Sequence, residues 1–100
     1  MNSIIQSEQI CYLCGACTPF GYYDGLESHH CFYGTSNRKI SEKYGLKVWL
    51  CGETCHRNGK NAVHRNRETD LLIKRHAQEV YEATYGSRAD FIREFGKSYL

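Results

Sequence analysis

Two apolar runs with strand character come first along the chain, and two helical repeats follow. "LESHHCFY", residues 26–33, is aromatic and apolar and is flanked by Gly25 and Gly34. "LKVWL", residues 46–50, is a second β-prone run, and the two can pair as a hairpin with a long loop. The loop, "GTSNRKISEKYG", has little apolar content and reads as a polar connection with room for one helical turn near Ser41–Tyr44. Further on, Leu72, Ile73, His76, Ala77, Val80, Tyr81 and Thr84 recur at three- and four-residue spacing, which makes one helix face. Thr69 can N-cap this helix, and Gly86 stands where a C′ glycine is expected. A second helix is expected over "SRADFIREF", with Ser87 and Asp90 as a capping box and Phe91, Ile92 and Phe95 as the apolar face. Asn58–Gly59 reads as a turn and Ala62–Asn66 as a short helix. "TPFGYYDG" is turn-rich, and "CYLCGAC" is too rich in cysteine for a regular element. Strands followed by helices give an α+β class.

One hundred residues make one domain, 1–100, whose core is marginal at this size. Six cysteines suggest a supplement, either disulfides or a structural metal. The opening "MNSIIQSEQI" has neither the basic nor the apolar region of a signal peptide, and no apolar run approaches a membrane span. A cytoplasmic protein with no membrane partner is therefore expected. In that compartment cysteine clusters bind metal more often than they cross-link.

Net charge is +2, but it is unevenly spread. Residues 1–37 hold no Lys or Arg, whereas 38–100 hold all thirteen bases against eight acids, a net of +5. A basic half fits a phosphate-backbone partner, although for a charge run taken alone a solvated helix face is the better reading.

Cys11-Tyr-Leu-Cys14-Gly15 is a C-x₂-C pair followed by glycine, a spacing that lets two thiolates grip one tetrahedral zinc. Cys51 and Cys55 form a C-x₃-C pair that begins 37 residues after Cys14, and the four together are expected to make a Cys₄ zinc site. Cys14 with Cys17 is an alternative first pair, and His56 can compete as a fourth ligand. Cys31 is expected to pack as a small buried hydrophobe.

His29 and His30 are adjacent in a strand, so a regular strand turns them to opposite faces. If one ligates a metal, its neighbour is free to act as a base, unless a bulge brings both to one cleft. An uncoordinated imidazole with a pKa near neutrality can deprotonate an attacking water. Arg38, Arg57 and Arg65 are candidates for holding a phosphodiester. His76, on the apolar face of the long helix, reads as a packed core or boundary residue.

The order "LESHHCF … GLKVWLCGETCH … VH" resembles the HNH endonucleases, the ββα-metal or His-Me finger superfamily, in their zinc-containing treble-clef form. The likeness is to small phage-type members and covers about residues 10–66, leaving 67–100 as a helical extension. It implies a small zinc-stabilised ββα-metal domain with a β-hairpin. By the same resemblance His30 is the general base, and His29 and His64 hold a catalytic metal. His56 matches either the middle position of the motif or a further ligand, and Asn37 or His56 pins the loop or the base. The implied cofactors are structural Zn²⁺ and a catalytic Mg²⁺, Mn²⁺, Ni²⁺ or Zn²⁺. The implied activity is hydrolysis of DNA phosphodiester bonds in phage DNA processing or recombination, inside a bacterial or phage-infected cell. A non-catalytic zinc-binding nucleic-acid module is the alternative, and a homodimer or partner protein is left open. The chain departs from the family in lacking an Asn just before "VWL" and in having Lys60 where some relatives carry an i, i+4 ligand.

Overall fold

The computed structural model describes residues 2–15, 26–52, 56 and 62–100. Cys17, Cys55, Arg57 and the Asn58–Gly59 turn lie outside the described residues. Strand β1 (Leu26–His30) pairs antiparallel with β2 (Lys47–Cys51), with Leu26 opposite Cys51 and His30 opposite Lys47. Helix α1 (Thr35–Tyr44) bridges them, and α2 (Arg67–Thr84) and α3 (Arg88–Phe95) follow. The result is a small α+β unit, with the hairpin where the two β-prone runs predicted it. Among the described residues no helix is long and apolar enough to cross a membrane.

The connection between the strands is a ten-residue helix rather than a polar loop with one helical turn. No long apolar stripe marks it, because its one fully buried side chain is the Ser41 hydroxyl, with Ile40 and Tyr44 only partly buried against the core. Ser41 Oγ donates to the Phe32 carbonyl at 2.7 Å and accepts from the Phe32 N–H at 3.2 Å. α1 ends at Gly45, whose φ of 71° is left-handed and whose Cα leaves no room for a Cβ beside the Asn2 carbonyl.

Two further expectations move. α2 begins at Arg67, capped by Asn66 Oδ1 accepting from Thr69 N–H at 3.1 Å, so Thr69 lies inside the first turn. The earlier start puts Glu68 and Asp70 beside the positive end of the helix dipole. Residues 62–66 form a tight turn, with Arg65 and Asn66 N–H both donating to the Ala62 carbonyl, rather than a short helix. α3 does carry the Ser87–Asp90 capping box.

The buried face of α2 is Ile73, Ala77, Gln78 and Tyr81. Leu72 is 55% exposed, and His76, expected to pack, is exposed and bonded to the Tyr12 hydroxyl at 2.6 Å. Gln78 explains the rotation. Its amide donates to Ser98 Oγ and accepts from Tyr99 N–H, so the helix turns this polar residue inward to clamp the C-terminal tail. Phe32 sits at the core centre, with ring contacts to Phe91, Phe95 and Tyr99 at 5.2, 4.5 and 5.3 Å.

The N-terminal segment lies along β2. Ile4 N–H donates to Gly45, Gln6 Oε1 accepts from Trp49 N–H, and Tyr12 N–H donates to the Trp49 carbonyl. This covers backbone groups that an exposed strand edge would leave open and brings Cys11 and Cys14 to Cys51.

Candidate metal centres

Strand alternation decides where the histidine doublet goes. His29 shares a face with Glu27 and turns inward beside Val48, its register partner, and it is 3% exposed. His30 turns to the face of Lys47 and bonds Glu42 Oε1 through Nε2 at 2.8 Å. Glu42 also receives the Lys47 ammonium at 3.0 Å.

On the inner side three ring nitrogens converge. His29 Nδ1 lies 3.2 Å from His56 Nε2, and His64 Nε2 lies 3.1 Å from the same atom. The other nitrogen of His56, Nδ1, donates to Glu27 Oε1 at 2.8 Å. A neutral His56 oriented this way has one lone pair on Nε2, so it can accept from only one of the two neighbouring ring nitrogens and leaves the other facing it without a proton to share. An ion accommodates all three. Tetrahedral ligands at zinc–nitrogen bonds of ~2.0–2.1 Å stand about 3.3 Å apart, close to the spacing observed. His29, His56 and His64 could therefore hold a metal ion. Burial, reinforced by His56, His64, His30 and Lys74, lowers the His29 pKa to about 3. Burial and His56 lower that of His64 as well. Both rings are thus biased toward the neutral form that a ligand needs.

Beside this cluster is a cavity of about 240 Å³ lined by Ser28, His29, His30, Tyr33, Arg38, His56 and His64. His30 therefore reaches the same space as the cluster despite leaving the strand on the other face. His30 and Arg38 also line a neighbouring groove with Thr35, Lys39 and Glu42. A larger cleft, about 740 Å³, lies between the N-terminal segment and the hairpin and carries none of these histidines. Donor chemistry rather than size identifies the site. Asn37 is half-buried on α1 and Arg65 is exposed in the 62–66 turn. Among the described residues neither is one of those lining the 240 Å³ cavity.

Cys11, Cys14 and Cys51 form the second group that could hold a metal ion. Cys14 Sγ and Cys51 Sγ are 3.5 Å apart, near the ~3.8 Å separation expected for thiolates on one zinc with bonds of about 2.3 Å. Gly15, at φ 70°, and its N–H bond to the Cys11 carbonyl close the turn. Burial raises the Cys11 thiol, but backbone N–H groups of Cys14, Cys51 and Leu13 outweigh it, so the net shift is downward, toward thiolate. Cys51 is disulfide-bonded in this structure, whereas Cys11 and Cys31 are free thiols. An ion at this centre thus requires Cys51 reduced. Cys31 is fully buried, as expected, and burial pushes its thiol far up.

Sequence reasoning missed the carboxylates. Glu27 was findable, since it lies two residues before His29 and alternation puts it on the same face. Glu42 was not, because it arrives on a helix that the apolar pattern did not show. Comparison of the chain with protein-family models, with curated proteins and with solved structures finds no match.

Proposed function

We propose that the protein is a metal-dependent endonuclease of the HNH type that hydrolyses DNA phosphodiester bonds, with a structural zinc on its cysteines. The observation that carries this reading is the convergence of the three ring nitrogens on a cavity that His30 and Arg38 also line. A closed structural centre has no use for such a cavity, whereas hydrolysis needs room for water and phosphate. His29, His56 and His64 would hold the ion, and His56 thereby takes the further-ligand role of the two the resemblance left open. When bound, a divalent ion supplies Lewis-acid stabilisation of charge on the phosphate oxygens.

The chain's own groups do the rest. His30 donates Nε2–H to Glu42, which leaves Nδ1 as the nitrogen that takes the proton from the attacking water. Glu42 fixes the tautomer and stabilises the imidazolium that results, and Lys47 holds Glu42 in place. Arg38 binds the phosphodiester by charge-assisted hydrogen bonds. On the cysteine side, reduced Cys11, Cys14 and Cys51 bind zinc and tie the N-terminal segment to the end of β2, with Cys55 as the proposed fourth ligand.

Supercoiled plasmid incubated with the protein and Mg²⁺, Mn²⁺, Ni²⁺ or Zn²⁺, beside His30→Ala, tests the reading. Nicked or linear product from the wild type and its loss in the variant are expected. No cleavage with any of the metals, from protein shown to carry zinc, overturns it in favour of a binding module.

A further inference from the structure

His56 has a carboxylate behind it and His29 does not. His29 directs Nδ1 at the cluster, so Nε2 is its outward nitrogen, and that atom is buried with no hydrogen-bond partner. Among the described residues the other buried side-chain atom left this way is Asp70 Oδ1. Native interiors rarely leave such atoms bare. The two are complementary. With Nδ1 presented as a ligand, the ring proton must sit on Nε2, a donor, and a carboxylate oxygen is an acceptor.

Asp70 is near the cluster through Tyr33 and His64: the Tyr33 hydroxyl hydrogen-bonds Asp70, and the Asp70 charge acts on His64. It stands on the first turn of α2, and its other oxygen, Oδ2, is taken by Lys74 at 2.9 Å. The Lys74 ammonium lies 4.5 Å from the centroid of the Tyr33 ring. That ring in turn contacts His29 at 5.8 Å and His64 at 5.1 Å. Asp70 acts electrostatically on His64, and Lys74 on His29. Asp70 and Lys74 are each only 13% exposed at the side chain, so this ion pair is not a solvent-facing surface pair.

Resting on the metal reading above, we propose that Asp70 is a positioning residue for His29. Its Oδ1 accepts the Nε2 proton, through one bridging water or after a small side-chain rotation, and this keeps Nδ1 free as the ligand atom. Lys74 holds the carboxylate by its other oxygen. A carboxylate that accepts from the far nitrogen of a ligating imidazole raises its basicity and fixes the ring orientation. The arrangement ties the histidine centre to the docking of α2, a helix outside the segment that resembles the nuclease family.

Two measurements test it. Nitrogen-15 NMR of the metal-free protein reads the His29 tautomer, with the Nε2–H form expected. Co²⁺ titration, followed by the visible band that His56→Ala lacks, reads the affinity of the centre. Asp70→Ala should weaken Co²⁺ by about 10–100-fold and let His29 populate both tautomers. Asp70→Asn, which keeps an acceptor oxygen and the side-chain shape, should lose less and serves if the alanine variant does not fold. An Nδ1–H tautomer in the wild type, or unchanged Co²⁺ affinity in a folded Asp70→Ala, overturns the proposal. Absence of Co²⁺ binding at the wild-type histidines overturns the metal reading instead, and the tautomer then still decides the role of Asp70.

Discussion

At the cysteine centre the donor atoms are held by backbone. The knuckle at Cys11–Gly15 turns its N–H groups on the Cys11 sulfur, and the centre joins the N-terminal segment to β2. At the histidine centre the donors are held by side chains. Glu27 orients His56, Asp70 is inferred to orient His29, and a cavity lined by His30 and Arg38 opens beside them. Backbone-held thiolates suit an ion that only ties chain together, because nothing about it must change. Side-chain-held imidazoles beside a cavity suit an ion with a position left for another molecule. The same chain thus carries two differently built groups that could hold a metal ion, and on the proposed function fold stability and chemistry should separate under mutation.

The largest effect should come from His56→Ala, which removes the nitrogen that both other ligands face. Cleavage is expected to fall below detection and bound metal to drop by one equivalent, while the melting temperature of the zinc-loaded protein stays close to wild type. A collapse of that temperature would show that the histidine centre is structural too. Next, His30→Ala should lower the cleavage rate by about 10²–10⁴-fold, the usual worth of a general base, with Co²⁺ affinity unchanged. Equal loss of affinity would make His30 a ligand rather than a base.

Cys11→Ser should act the other way round. Zinc uptake at the cysteine centre and thermal stability should fall together, with Co²⁺ affinity at the histidines retained in whatever fraction stays folded. Omitting reductant should mimic part of this, since Cys51 can ligate only as a thiolate. Loading of the cysteine centre that is indifferent to reductant would count against the assignment.

The smallest effect is in pH. In the metal-free protein the folded pKa of His29 is about 3 against an ordinary value of 6.5. Its contribution is therefore fully present above pH 6.5 and is lost as pH falls from there toward 3. By pH 4 the loss is on the order of 3 kcal/mol. Denaturant titrations at pH 7 and 4 on wild type and His29→Gln check this, and the variant should show the shallower pH dependence.

Much of this architecture was legible. Apolar β-prone runs locate both strands, helical periodicity locates the last two helices, and the Ser87–Asp90 box marks the start of α3. Strand alternation also separates His29 from His30 on the sequence alone. What stayed hidden shares a cause, namely polar groups satisfied inside the molecule. α1 docks through the Ser41 hydroxyl, and α2 rotates to bury Gln78, which strands His76 on the surface. Glu42 and Asp70 act through contacts between distant parts of the chain. Apolar periodicity is blind to such contacts, because it registers only what avoids water.

Phe32 bears on the order of synthesis. It lies two residues past His30, yet it rests on Phe91, Phe95 and Tyr99, the first of which leaves the ribosome 59 residues later. The described thiols of the cysteine centre all emerge by residue 51. His64 comes afterwards, and the aromatic seat that steadies β1 comes later still. A nascent chain can therefore gather the described cysteines of one candidate metal group before it can assemble the histidines of the other.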